Sequence, residues 1–143
     1  MPRRKRHRRI YGPPESKGFQ TIGNLGRQRE PIWMSYEEYE AIRLNDYLKM
    51  GQEDGAEQMD VSRSTFARIY DSARKKVARS LVEGRPIVFR GGDVYFNHPA
   101  FRCKKCTNWF RYSSAGKEPE NCTICGSTDI EQFQENVNYK FNL

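Results

Sequence analysis

The sequence predicts a mainly α fold: three helices with a short β-hairpin, followed by a small, separate β module. Three observations carry this. Between residues 36 and 83 apolar residues recur every three or four positions beside helix-capping signals. Gly91 and Gly92 stand between two short β-type runs, and all four cysteines follow residue 102 in two C-x-x-C pairs.

Taken in order, Ile10 to Pro31 contains Gly12, Pro13, Pro14, Gly18, Gly23 and Gly26, has no sustained period, and reads as extended connection. Its Tyr11, Phe19, Ile22 and Leu25 are expected to pack as an outer layer on the helices that follow. Ser35 and Glu38 make a capping box, in which each side chain satisfies the other residue's backbone N–H, so a first helix is expected over Tyr36–Leu48. Met50 and Gly51 interrupt it, and Gln52–Met59 reads as a second, short helix with Ala56 and Met59 inward. After a turn at Asp60 and Val61, Ser62 caps a third helix over Arg63–Glu83, ended by Gly84 with Pro86 beyond. Phe66, Ile69, Tyr70, Ala73, Val77 and Leu81 form its apolar stripe. Ile87–Arg90 and Val94–Phe96 are expected to pair as a hairpin across the glycines, serving as a wing beside DNA, a cover for the helix core, or a dimer contact.

These elements divide the chain into a basic arm and linker (1–30), a helical domain with its hairpin (31–97), and a cysteine-bearing domain (98–143). The net charge is +7, and Arg3, Arg4, Lys5, Arg6, Arg8 and Arg9 supply six positive charges, so the chain without them carries only +1. Such an arm is either a solvated tail or a polyanion contact. As a contact it releases counterions from phosphates and enters a minor groove while reading little sequence. No apolar run approaches the roughly 18 residues of a membrane span, and the basic start leads into no apolar segment, so a cytoplasmic location is expected.

Three helices with a sharp turn before the third have the spacing of a helix-turn-helix. In that motif the early residues of the last helix approach base edges in the major groove, which here places Arg63, Ser64, Thr65 and Arg68 against double-stranded DNA. Lys75, Lys76 and Arg79 lie further along and are expected to meet phosphates. The bland alternative is an amphipathic bundle with a solvated basic face. Glu37, Glu38, Glu40, Glu53, Asp54 and Glu57 have no nearby His or phosphate loop to work with, so no enzyme is expected.

The run Gln52, Glu53, Ala56, Met59, Val61, Ser62, Arg63, Thr65, Phe66, Arg68, Ile69 resembles the helix-turn-helix of bacterial sigma factor region four, which binds promoter DNA. Further blocks resemble the prokaryotic domain of unknown function number 134: Pro2–Arg6, Glu40–Leu44, Val61–Ile69, Ser72–Ala78, Leu81–Gly84 and Gly91–Gly92. That resemblance covers roughly residues 1 to 92 and implies a helix-turn-helix DNA-binding protein. Many relatives carry a Cys after the basic run where this chain has Ile10, Tyr11 and Gly12, so no role of that Cys transfers.

Cys103, Cys106, Cys122 and Cys125 have the C-x-x-C spacing of a zinc ribbon, with fifteen residues between the pairs. Four sulfurs close a tetrahedral shell, so the expected ion is a structural Zn2+. Two disulfides and a thioredoxin-like pair compete less well, because cytoplasmic thiols stay reduced and no β-α-β pattern surrounds a single pair. An iron-sulfur centre shares zinc's preference for soft ligands. Trp109, Phe110, Tyr112, Ile130, Phe133, Val137, Tyr139 and Phe141 are expected to supply short strands around the ion, with His98 and His7 outside its shell. Lys104, Lys105 and Arg111 offer this module a DNA contact, whereas Glu118, Glu120, Asp129, Glu131 and Glu135 favour a protein partner or a dimer. The expectation is therefore a sequence-specific transcriptional regulator acting as a homodimer on duplex DNA. The alternatives are an RNA- or ribosome-associated module and a protein adaptor.

Overall fold

The computed structural model describes residues 8–23, 29–96, 100–111, 118–133 and 139–140. Its elements are β1 (Arg8–Ile10), β2 (Gly18–Phe19), β3 (Ile32–Met34), α1 (Tyr36–Ile42), a π-helical turn (Arg43–Tyr47), α2 (Gln52–Gln58) and α3 (Arg63–Glu83). The strands β4 (Ile87–Phe89), β5 (Asp93–Phe96), β6 (Ala100–Cys103), β7 (Trp109–Arg111), β8 (Ile130–Phe133) and β9 (Tyr139–Lys140) follow.

The mainly α expectation is wrong. Among the described residues three α-helices share the molecule with three separate three-stranded sheets, ordered β1-β5-β9, β2-β4-β3 and β7-β6-β8. The strands are two to four residues long, too short for alternation to register, and β2 arises inside the segment whose glycines and prolines suggest plain connection, with β1 and β3 at its ends.

The hairpin is also corrected. β4 pairs with β2 and with β3, β5 pairs in parallel with β1, and no ladder joins β4 to β5. Gly91 and Gly92 do take positive φ, 73° and 116°, but the conformation diverts the chain from one sheet to the next. The Gly91 carbonyl accepts instead from the Tyr36 N–H at 3.2 Å, which ties this corner to the start of α1.

At that start the expected capping box is present: Ser35 Oγ accepts from the Glu38 N–H at 3.2 Å and Glu38 Oε1 from the Ser35 N–H at 3.5 Å. The α-helix does not continue to Leu48. Past Ile42 the backbone widens into the π turn, closed by Leu48 N–H to Arg43 O at 2.9 Å, and Lys49 follows with φ 60°. Leu44 thereby stays buried while Tyr47 turns outward.

α2 and α3 meet through a close contact. Gly55 is buried, and a Cβ there would stand 2.6 Å from Cζ of the fully buried Phe66 ring. Ala56 and Met59 are inward as expected, and Val61 packs half-buried against the same core. Ser62 caps α3 by accepting from the Thr65 N–H, and Gly84 ends it in the left-handed conformation, φ 62° and ψ 41°. The stripe is shorter than its period suggests. Phe66, Ile69 and Ala73 are buried and Val77 touches the core, but Leu81 is 78% exposed because the core ends before the last turn.

The main core also gathers Ile10, Met34, Tyr36, Ala41, Leu44, Ile87, Phe89, Val94 and Ala100, so strands from both ends of the chain complete it. The outer-layer expectation fails for Phe19 and Ile22, which are exposed; Tyr11 is half-buried beneath the Arg43 guanidinium, and Leu25 lies outside the described residues. Among the described residues of this segment, Ile10, Gly12, Pro13 and Pro14 are buried. A second, small cluster of Phe101, Cys103, Phe110 and Cys122 lies under the cysteines, flanked by Cys106 and Ile130.

Candidate functional site

Two places in the molecule gather chemistry-bearing side chains. The first is the N-terminal half of α3. Arg63, Ser64 and Arg68 are exposed and Thr65 is half-buried, with Thr65 and Arg68 bordering a cleft that Ile69 also lines. Ser62 Oγ lies 2.9 Å from Thr65 Oγ1 and 3.2 Å from Ser64 Oγ, and Arg68 Nη2 donates to Thr65 Oγ1 at 3.4 Å. Arg63 pairs loosely with Glu53 of α2 at 3.4 Å, both side chains largely in water, so the pair is weak and readily exchanged. Lys75 and Arg79 are exposed too, within i,i+4 pairs to Asp71 and Glu83. Lys76 is turned inward, donating at 2.7 Å to Glu38, which is 8% exposed and also accepts from Ser72.

The basic arm enters beside this face. Arg8 pairs with Glu37 and lines a cleft of about 240 Å³ together with Ser35, Glu38, Thr65 and Arg68. Arg9 is engaged inside the molecule: its N–H donates to Met59 O at 3.0 Å, its Nε to Gln58 O at 2.7 Å and its Nη2 to Glu57 O at 2.8 Å. The end of α2 leaves the Gln58 and Met59 carbonyls without helical partners, while Glu57 O also accepts from the Asp60 N–H at 3.1 Å. Sequence reasoning missed this capping role, which no local signal reveals because the partners are almost fifty residues away. Arg3, Arg4, Lys5 and Arg6 lie outside the described residues, as do His7, His98, Tyr112, Glu135, Val137 and Phe141.

The second place is the cysteine cluster, where all four Sγ atoms lie within 4.8 Å of one another. Cys103 Sγ and Cys125 Sγ are 3.5 Å apart, and Cys106 Sγ and Cys122 Sγ 3.7 Å. Sulfurs bound at about 2.3 Å around one tetrahedral ion stand roughly 3.8 Å apart, so the cluster is compatible with a metal. The two C-x-x-C turns repeat each other. In each, the residue after the second cysteine has positive φ, 61° at Thr107 and 77° at Gly126. In each, the first cysteine's N–H bonds a carbonyl five residues on, Asn108 O at 3.0 Å and Ser127 O at 2.8 Å. N–H groups of Cys106, Ile124 and Cys125 point at Cys103 and Cys122 sulfurs.

That environment splits the thiols. The Cys106 N–H draws the Cys103 thiol down to about 6. At Cys125 the Ser127 N–H favours the thiolate, but desolvation and the neighbouring sulfurs outweigh it and push the group up to about 11. Four crowded sulfurs thus hold a proton that a cation in their midst would displace. Lys104 and Lys105 are exposed beside them, and the side chain of Arg111 is outside the described set. Lys17, which the sequence did not single out, latches the first turn to the rest of the protein, donating to Cys106 O at 2.6 Å and Thr107 Oγ1 at 2.7 Å.

Fold and site together define an α+β protein with a basic helix face and a four-cysteine cluster compatible with a metal ion. The chain belongs to the family described as Protein of unknown function DUF134, whose match spans residues 1–97. It is similar to proteins named only UPF0251 protein: 40% identical over 130 residues to one from Methanothermobacter thermautotrophicus, covering 91% of this chain and 67% of that one. It is 34% identical to one from Chloroherpeton thalassium, covering 94% and 88%, and 36% identical to one from Halothermothrix orenii, covering 94% and 100%. Matches of that extent run past residue 97 into the cysteine-bearing part. No solved structure matches the chain.

Proposed function

We propose that the protein is a sequence-selective DNA-binding regulator that presents the first two turns of α3 to the major groove of duplex DNA. The observation that carries this reading is the exposed set Arg63, Ser64 and Arg68, with Thr65 at its edge, on a helix seated on α2 through Gly55 and Phe66. Arg donates two parallel bonds to guanine, and hydroxyl groups adapt to several bases. Lys75 and Arg79 continue the same side toward the backbone phosphates, and Arg8 lines the neighbouring cleft, preceded in the sequence by the further basic residues Arg3, Arg4, Lys5 and Arg6. Among the described residues no helix is long and apolar enough to cross a membrane, which agrees with a protein working on chromosomal DNA in the cytoplasm.

We assign zinc to Cys103, Cys106, Cys122 and Cys125. Thiolates are soft ligands, and a closed set of four leaves no open position for substrate, so the ion's role is structural and no catalysis is assigned. A homodimer suits this reading because two α3 helices address two half-sites one helical turn apart.

The test is selection from a random pool of duplex DNA by the zinc-loaded protein at near-physiological salt, repeated with R63A/R68A. Both arginines are exposed, so the variant keeps its fold. Loss of a bidentate base contact costs about 1–3 kcal/mol, so roughly fivefold to 150-fold of discrimination per contact should disappear while arm-driven affinity persists. Enrichment of the same sequence by the variant would overturn the recognition assignment. Retention without enrichment by the unaltered protein would favour RNA or a non-specific role.

A further inference from the structure

A cavity of about 250 Å³ opens on the side of the molecule where the π turn, β1 and the end of α2 meet, lined by Arg9, Tyr11, Arg43, Leu44, Leu48 and Met50, with Glu40 and Gln58 behind them. We propose that it is a binding site for a small organic monocarboxylate with an apolar body, through which such a metabolite acts on the DNA-facing helix pair.

Three independent features point to a ligand. The first is charge. Glu40 is 2% exposed and held by Arg43, whose Nε and Nη2 both bond its carboxylate, so this buried pair is neutral as a unit. Arg9 is then the uncompensated charge, and the lining sums to one positive. The bonds of both arginines to protein atoms use Nε and Nη2, and Nη1 of each has no partner among the described residues. A guanidinium recognises a carboxylate by donating such N–H groups.

The second feature is the apolar wall. Leu44, Leu48 and Met50 offer hydrocarbon beside the cations, together with the Tyr11 ring, whose centroid lies 4.8 Å below the Arg43 guanidinium carbon. The volume is just under the roughly 300–1,000 Å³ of sites for drug-sized ligands, which limits the occupant to a single ring or a short branched chain and excludes a nucleotide. The third is the backbone. π turns are rare and concentrate at functional sites, and this one supplies Arg43 and Leu44 to the wall while its cap supplies Leu48.

The route to the helix pair is short. Arg9 lines the cavity and simultaneously caps Glu57, Gln58 and Met59, the last residues before the turn into α3. A carboxylate drawing on Arg9 therefore competes with the bonds that fix the end of α2 and biases how α3 is presented. This consequence rests on the DNA-binding reading; occupancy of the cavity does not, and it is measured without DNA.

The experiment titrates the full-length, zinc-loaded protein with monocarboxylates from acetate through benzoate to naphthoate, each beside its neutral amide, and follows backbone resonances by NMR. The expected result is saturable shifts confined to residues 9–11, 43–50 and 57–59, strongest for benzoate-sized acids and at least tenfold weaker for the amides. Leu48→Trp, which fills the mouth from a position already 43% exposed, should abolish saturation while circular dichroism stays unchanged. Absence of saturable shifts with every acid, equal response to the amides, or shifts spread over the surface arginines would each overturn the site. Saturable binding with no change in DNA affinity would retain the site and overturn its coupling to α3.

Discussion

At the scale of single residues the least expected feature is how much depends on the missing side chain of Gly55. Glycine inside a helix ordinarily loses about 1 kcal/mol against alanine, so Gly55→Ala should stabilise on propensity alone. Here the added methyl meets the Phe66 ring at 2.6–3.2 Å, and that ring is fully buried. Overpacking of this kind costs about 1–3 kcal/mol, which outweighs the propensity gain. Gly55→Ala should therefore lower the urea midpoint, and a raised midpoint would show that α2 and α3 can slide apart. The sequence displays Gly55 plainly but not its purpose, since nothing local marks a glycine as a contact point. Thr107 is a parallel case, a β-branched residue in a left-handed turn where its counterpart is Gly126.

At the scale of elements, legibility followed the local content of each signal. α3 is readable to its ends because Ser62, the apolar stripe and Gly84 all act within a few residues of their partners. The capping box of α1 is legible for the same reason. What was lost depends on distant partners: β1 exists because β5 lies alongside it, and β4 leaves β5 because β2 and β3 claim it. The π turn hides because one inserted residue shifts the period by less than the pattern's own scatter. Arg9 belongs here too, as the cap on α2. With no side-chain N-cap at Gly51 and only seven residues, α2 relies on its end contacts. Arg9→Met keeps the stem and removes the donors, and should lower stability by about 1–2 kcal/mol. A melting temperature lowered by several degrees, insensitive to salt, is the expected observation; an unchanged one would return Arg9 to the free basic arm.

At the scale of the whole molecule two cores of unequal size must be kept folded by different means. Among the described residues thirteen form the main core cluster, whereas the cluster at the cysteines gathers four, Phe101, Cys103, Phe110 and Cys122. So small a cluster is compatible with a module whose four cysteines hold a metal ion, the binding of which would contribute to folding. This much the cysteine spacing made legible. It did not reveal that the module is tied back, through Ala100 in the main core and Lys17 on the first cysteine turn. Stripping the ion with a chelator should release one metal per chain, detected colorimetrically. It should also collapse the resonance dispersion of residues 100–133 while leaving the α3 resonances dispersed. The Lys17 latch adds a sharper expectation: β2 carries Lys17's neighbour Gly18 against Val88, so resonances of β2 and β4 should shift on metal removal although neither touches a cysteine. Were they to stay unmoved, the module would be an independent appendage. Were α3 to melt with it, the metal would support α3 directly.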